Sequence, residues 1–177
     1  MKILKISLLL AVILFTSPTW AGKRVALVIG NSQYQSLKRL PNPGNDAAAI
    51  ASKLKTLGFD LITVSGSIGN SPVLDINENK FIVAIENFSQ QAQGAEIAVV
   101  YYAGHGMQFG KGSYLLPVDI PKTNINLIKR HAVSLEDILQ SLDGKAQLTV
   151  AIFDACREIP ELENVIVAAT RGSGLGN

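Results

Sequence analysis

Three short runs constrain this chain more than any other feature. Arg24–Gly30, Glu96–Tyr102 and Gln147–Phe153 are nearly unbroken apolar stretches rich in β-branched residues. Each is too short for an ordinary helix and suits a strand buried on both faces. Asp60–Val64 reads as another strand. Between them the spacing turns helical. Asn45 or Asp46 is expected to cap a first helix with the stripe Ala47, Ile50, Ala51, Leu54 and Leu57, and Gly58 is expected at its C-cap. Asn77–Gln93 carries Phe81, Ile85, Phe88 and Ala92 on one face, and Gly94 stops it. Ser134 followed by Asp137 resembles a capping box, ahead of Leu135, Ile138, Leu139 and Leu142. Strand and helix alternate throughout, so the expected class is α/β: a mostly parallel sheet with helices on both faces, in one domain.

The first residues stand apart from that pattern. Lys2 and Lys5 precede a short apolar run, Ile6 to Phe15, and Thr19-Trp20-Ala21 ends on a small residue. This predicts a signal peptide over residues 1–21, export to the periplasm or the extracellular space, and a domain over 22–177. The run is too short for a stable membrane anchor, and no cysteine follows it to take a lipid. Losing Lys2 and Lys5 leaves 14 basic residues against 14 acidic ones. The chain's pI of about 8.7 therefore overstates the mature protein's basicity. No basic run suggests nucleic acid.

Two of the runs end in reactive side chains. The third strand leads into Gly104-His105-Gly106, and the fourth leads through Asp154-Ala155 to Cys156, the chain's one cysteine. Ligands bind beyond the C-terminal ends of strands in open parallel sheets. An imidazole there can take a thiol's proton and return it to a leaving amine. Glycines around His105 let a substrate backbone approach, and the amides of Gly106 and Cys156 are candidates for stabilising an oxyanion. A cysteine after an apolar strand is more often a small buried hydrophobe, so spacing alone leaves both readings open. His131, beside Lys129 and Arg130, is expected in a polar, solvated loop. Two histidines and one cysteine do not make a closed zinc site, and no acidic loop has a calcium pattern. Neither Gly-x-Ser-x-Gly nor Gly-x-Gly-x-x-Gly occurs. No metal and no cofactor is expected.

At this point the segments resemble a family. Arg24–Asn31, Leu40-Pro-Asn-Pro-Gly-Asn-Asp-Ala47, Leu57-Gly-Phe59, Tyr101–Gly106, Tyr114–Asp119, Ala132–Leu135 and Phe153-Asp-Ala-Cys-Arg157 occur in the order found in caspase-like cysteine peptidases. The bacterial metacaspase-type members are the most similar in pattern. The resemblance implies a caspase-like fold, a His105–Cys156 dyad and a protein or peptide substrate. Asp46 and Asp154 match the acidic pair that receives a basic P1 side chain, which implies cleavage after Arg or Lys through charge-assisted hydrogen bonds. Asp46 also reads as a plain helix cap.

Members of that family continue further past the cysteine, and here the sequence stops at Asn177. The expectation is a large-subunit-like portion that ends after the fourth core strand and leaves an open sheet edge. Such an edge invites a separate small-subunit-like chain or self-association. Arg171 is a candidate processing site, and residues 165–169 read as a strand or short helix. The alternative function is a non-catalytic interaction module, or an inactive truncated peptidase. A periplasmic small-ligand binder has little support, because it gives no reason for the Gly-His-Gly and Asp-Ala-Cys endings.

Overall fold

The computed structural model describes residues 22–156, Cys156 by its backbone alone. The expected signal peptide, residues 165–169 and Arg171 lie outside the described residues.

The expected strands and helices form in order. The parallel core consists of β1 (Arg24–Gly30), β2 (Asp60–Ile62), β5 (Ala95–Phe109) and β8 (Ala146–Cys156), ordered β2-β1-β5-β8. Short pieces decorate it. β3 (Ile68–Gly69) runs antiparallel to β2, and β4 (Val73–Leu74) runs parallel to the end of β1. The last four residues of β5 turn back with β6 (Gly112–Leu115), and β7 (Val133–Ser134) pairs antiparallel to β6. Two-residue strands have no periodicity to read, so β3, β4 and β7 left no signature in the sequence.

Period-two alternation along β1 divides the core. Val25, Leu27 and Ile29 point to one face, where they meet Phe81, Ala84, Ile85 and Phe88 of α2 (Glu78–Ala92) and Ile138 and Leu142 of α4 (Leu135–Leu142). Ala26 and Val28 point to the other, against Ala47 and Ala51 of α1 (Pro43–Thr56). Both faces of the first strands are thus covered, which is why their sequences are apolar without a break. Asn77 caps α2 by accepting from the Lys80 amide, and Ser134 caps α4 by accepting from the Asp137 amide at 3.3 Å.

Four local expectations are corrected. Helix α1 starts earlier, at Pro43 after Asn42, and neither Asn45 nor Asp46 is its N-cap. Leu57 is the C-cap, and Gly58 follows it at φ +79°, where glycine avoids a Cβ clash. Residues 125–131 form a further helix, α3 (Ile125–His131), whose apolar side is only Ile125 and Ile128. His131 is therefore the last residue of a helix, and its Nδ1 lies 2.5 Å from Glu78 Oε2 at the start of α2. Lastly, β5 does not stop at Tyr102. It stays extended to Phe109 because β6 takes over as its partner.

β8 differs from the other core strands. Among the described residues it pairs with β5 alone. None of its described residues is buried, and Leu148 and Ile152 are 52% and 45% exposed.

Candidate active site

The parallel ladder between β5 and β8 ends on the pair His105 and Cys156, which occupy facing backbone positions. Two adjacent parallel strands therefore bring these residues together, although 51 positions separate them in sequence.

The surrounding loops are anchored by a few polar groups. Gly30 ends β1 where a Cβ would lie 2.6 Å from the Pro43 carbonyl oxygen, so only glycine lets the start of α1 come this close. Asn31 is fully buried. Its Nδ2 donates to the Leu116 carbonyl at 3.2 Å, and its Oδ1 accepts from the Ile76 amide at 3.0 Å. The Asp75 carboxylate accepts from the amides of Ser32 and Gln33 at 2.7 and 2.8 Å. Ser32 Oγ accepts from the Gly44 amide at 3.1 Å. A serine from the preceding loop thus satisfies an early amide of α1, which a cap within the helix would otherwise do. Among the described residues the Asp46 side chain makes no hydrogen bond.

The same loop fixes the imidazole. His105 is only 6% exposed, and its Nε2 lies 2.8 Å from the Lys38 carbonyl oxygen. A carbonyl can only accept, so Nε2 carries the proton and, in the neutral ring, Nδ1 is the basic nitrogen. Among the described residues nothing hydrogen-bonds Nδ1. The Tyr34 ring packs against the imidazole with centroids 4.5 Å apart. Beneath it, the Tyr34 and Tyr102 hydroxyls are 3.1 Å apart, and both reach the Leu116 carbonyl. Burial pushes the Tyr34 phenol up to about 12 and the Tyr102 phenol well above its ordinary range, so both remain protonated donors.

The two carboxylates converge electrostatically. Asp46 lies in the first turn of α1, and Asp154 lies on β8 opposite Ala103. Tyr101 is pushed above its ordinary phenol range, first by burial and then by the negative charges of Asp154 and Asp46. Tyr101 and Ala103 belong to the α1 face, and strand alternation carries that face on to His105. Gly106 lines a recess of about 270 Å³ with Met107, Leu115, Phe153 and Ala155. Larger cavities of about 580 and 630 Å³ lie elsewhere, and neither includes His105, Asp46 or Asp154. Shape alone would select those hollows. At the strand ends a basic nitrogen stands in register with a cysteine position, and Asp154 lies two residues before it. Among the described residues no group of three or more His, Cys, Asp or Glu is placed to hold a metal ion.

Sequence reasoning missed Asn31, Tyr34, Tyr102 and the Lys38 carbonyl. One signal was present: Tyr101-Tyr102 interrupts an otherwise aliphatic strand, and buried phenols require partners.

The family model for the caspase domain matches residues 23–173. The chain belongs to the caspase-domain family of cysteine peptidases. Within that family it is similar to mucosa-associated lymphoid tissue lymphoma translocation protein 1 of Homo sapiens, at 26% identity over 152 residues. Its Mus musculus homologue matches at the same identity and length. Those matches cover 85% of this chain and 17% of either relative, so the chain spans about a sixth of their length. The caspase-domain fold is also similar to the crystal structure of the Drosophila initiator caspase Dronc. That match has a TM-score of 0.54 and 16% identity, over 73% of this chain and 47% of that one.

Proposed function

We propose that this caspase-domain chain is an endopeptidase that uses a His105–Cys156 dyad and cleaves after Arg or Lys, as metacaspase-type members do. The observation that carries the reading is the backbone pairing of His105 with Cys156 at the end of the parallel ladder. The Cys156 thiol gives its proton to Nδ1 of His105, and the thiolate attacks the scissile carbonyl carbon. The amides of Gly106 and Cys156 hold the resulting oxyanion. Collapse of the adduct breaks the C–N bond, and the imidazolium returns its proton to the leaving amine. Water, deprotonated by His105, then hydrolyses the thioester and frees Cys156. Asp46 and Asp154 form the pocket for the basic side chain, supported by their shared effect on Tyr101.

Peptides carrying P1 Arg, P1 Lys and P1 Asp, offered side by side, test the reading. Turnover of the basic substrates is expected, lost in Cys156→Ser and His105→Ala. Preference for P1 Asp would remove the acidic-pocket assignment.

A second reading is favoured by β8, whose described partner is β5 alone and which exposes Leu148 and Ile152. In that reading the chain is a non-catalytic interaction module. A thiol-reactive P1 Arg peptide separates the two, because folded protein that leaves Cys156 unlabelled would favour the module. In either case we infer that β8 takes a further strand, from a small-subunit-like chain or a second copy. Export rests on Lys2, Lys5 and the apolar run Ile6 to Phe15, and mass spectrometry of the exported protein should find Gly22 at its N-terminus.

A further inference from the structure

We propose that Tyr34 and Tyr102 are positioning residues that clamp the backbone N–H and C=O of His105, a role that rests on the His105 part of the peptidase reading. At His105 the strand changes partners, from β8 on the N-terminal side to β6 beyond. A ladder carbonyl would ordinarily meet its amide. The Tyr34 hydroxyl does so instead, accepting from His105 N–H at 2.8 Å. The Tyr102 hydroxyl donates to the His105 carbonyl at 2.8 Å, which also accepts from the Leu116 amide.

Each phenol has one proton to give, and one order closes the set while leaving the Leu116 carbonyl to the Asn31 side chain. His105 N–H donates to Tyr34, Tyr34 donates to Tyr102, and Tyr102 donates back to the His105 carbonyl. This ring of hydrogen bonds begins and ends on the same residue. Gly104 makes it possible, because a Cβ there would lie 2.6 and 2.7 Å from the two phenol oxygens. Tyr34 also packs its ring on the imidazole and sits four residues before Lys38, whose carbonyl holds Nε2. The Tyr34 side chain therefore ties the histidine's backbone and ring plane to the loop whose Lys38 carbonyl sets the tautomer.

The test is Tyr34→Phe, which keeps the ring and removes the acceptor. Long-range proton–nitrogen NMR reads the ring directly, since the chain has only two histidines to assign. The wild-type protein is expected to show a bare Nδ1 and a slowly exchanging His105 amide. In Tyr34→Phe we expect a mixture of tautomers and amide exchange faster by about tenfold or more. With a P1 Arg peptide, kcat should fall about tenfold or more while KM stays within about twofold. Ile138→Val, buried on helix α4 away from the His105 hydrogen bonds, should lower stability without moving tautomer or kcat. A Tyr34→Phe protein with the wild-type tautomer and amide exchange overturns the proposal, whatever its turnover. A tautomer that responds to Tyr34→Phe in a protein with no turnover sinks the peptidase reading and leaves the clamp standing. Should Tyr34→Phe fail to fold, Tyr102→Phe and the wild-type amide decide, and a fast-exchanging wild-type His105 amide refutes the clamp.

Discussion

Gly104 is the residue on which the candidate site turns. Its missing side chain leaves room for two phenol oxygens that hold the histidine beside it. Gly104→Ala forces a methyl group into that space, and overpacking of this kind costs about 1–3 kcal/mol. Urea denaturation should show the loss, and unchanged stability would refute the close contact. The phenols also give the protein an alkaline limit. Tyr34 titrates at about 12 when folded, against 10.0 for an ordinary phenol. The raised value means that the folded state keeps a proton the unfolded chain gives up. Its contribution is complete below pH 10 and is lost as pH rises towards 12. A two-unit shift corresponds to about 2–3 kcal/mol. Denaturation midpoints measured through this range should fall, and more gently in Tyr34→Phe. An equal slope in both proteins would count against the buried phenol as the cause.

At the scale of the elements, helix α1 and its preceding loop act as one piece. Ser32 accepts from the Gly44 amide, while Asp46 sits two residues further into the helix. Losing such a cap costs about 1 kcal/mol. Ser32→Ala should therefore destabilise the fold modestly and raise KM for a P1 Arg peptide, because the first turn that carries Asp46 loosens. A stability loss with no change in KM would separate the cap from the pocket. The helices at this scale were legible in the sequence. The stripe Phe81, Ile85, Phe88 and Ala92 has the period of α2, and Ser134 caps where its side chain suggested. Helix α1 began early because its capping oxygen comes from a residue outside it, which local spacing does not reveal. Helix α3 buries only two residues, too few for a readable stripe.

For the whole molecule, the uneven cover of the sheet is decisive. β1 has helices on both faces and strands on both sides, whereas β8 is paired on one side among the described residues and exposes Leu148 and Ile152. An uncovered apolar edge strand is a template for pairing. Light scattering across a concentration series should detect association in the wild-type protein, reduced in the Leu148→Lys, Ile152→Lys double variant. Equal association in both would place the contact elsewhere.

By itself, the sequence determined the alternation of strands and helices, the parallel sheet and the family. Apolar period and segment order are local properties that survive without coordinates. It also marked His105, Cys156, Asp46 and Asp154 as the residues to watch. Only the tertiary structure decided that His105 and Cys156 face each other in register, that the Lys38 carbonyl fixes the imidazole proton on Nε2, and that the Tyr34 and Tyr102 phenols grip the histidine's backbone. All of those contacts but that of Tyr102 join residues tens of positions apart, and hydrogen-bond partners are chosen by the packing of strands and loops, which no local pattern encodes.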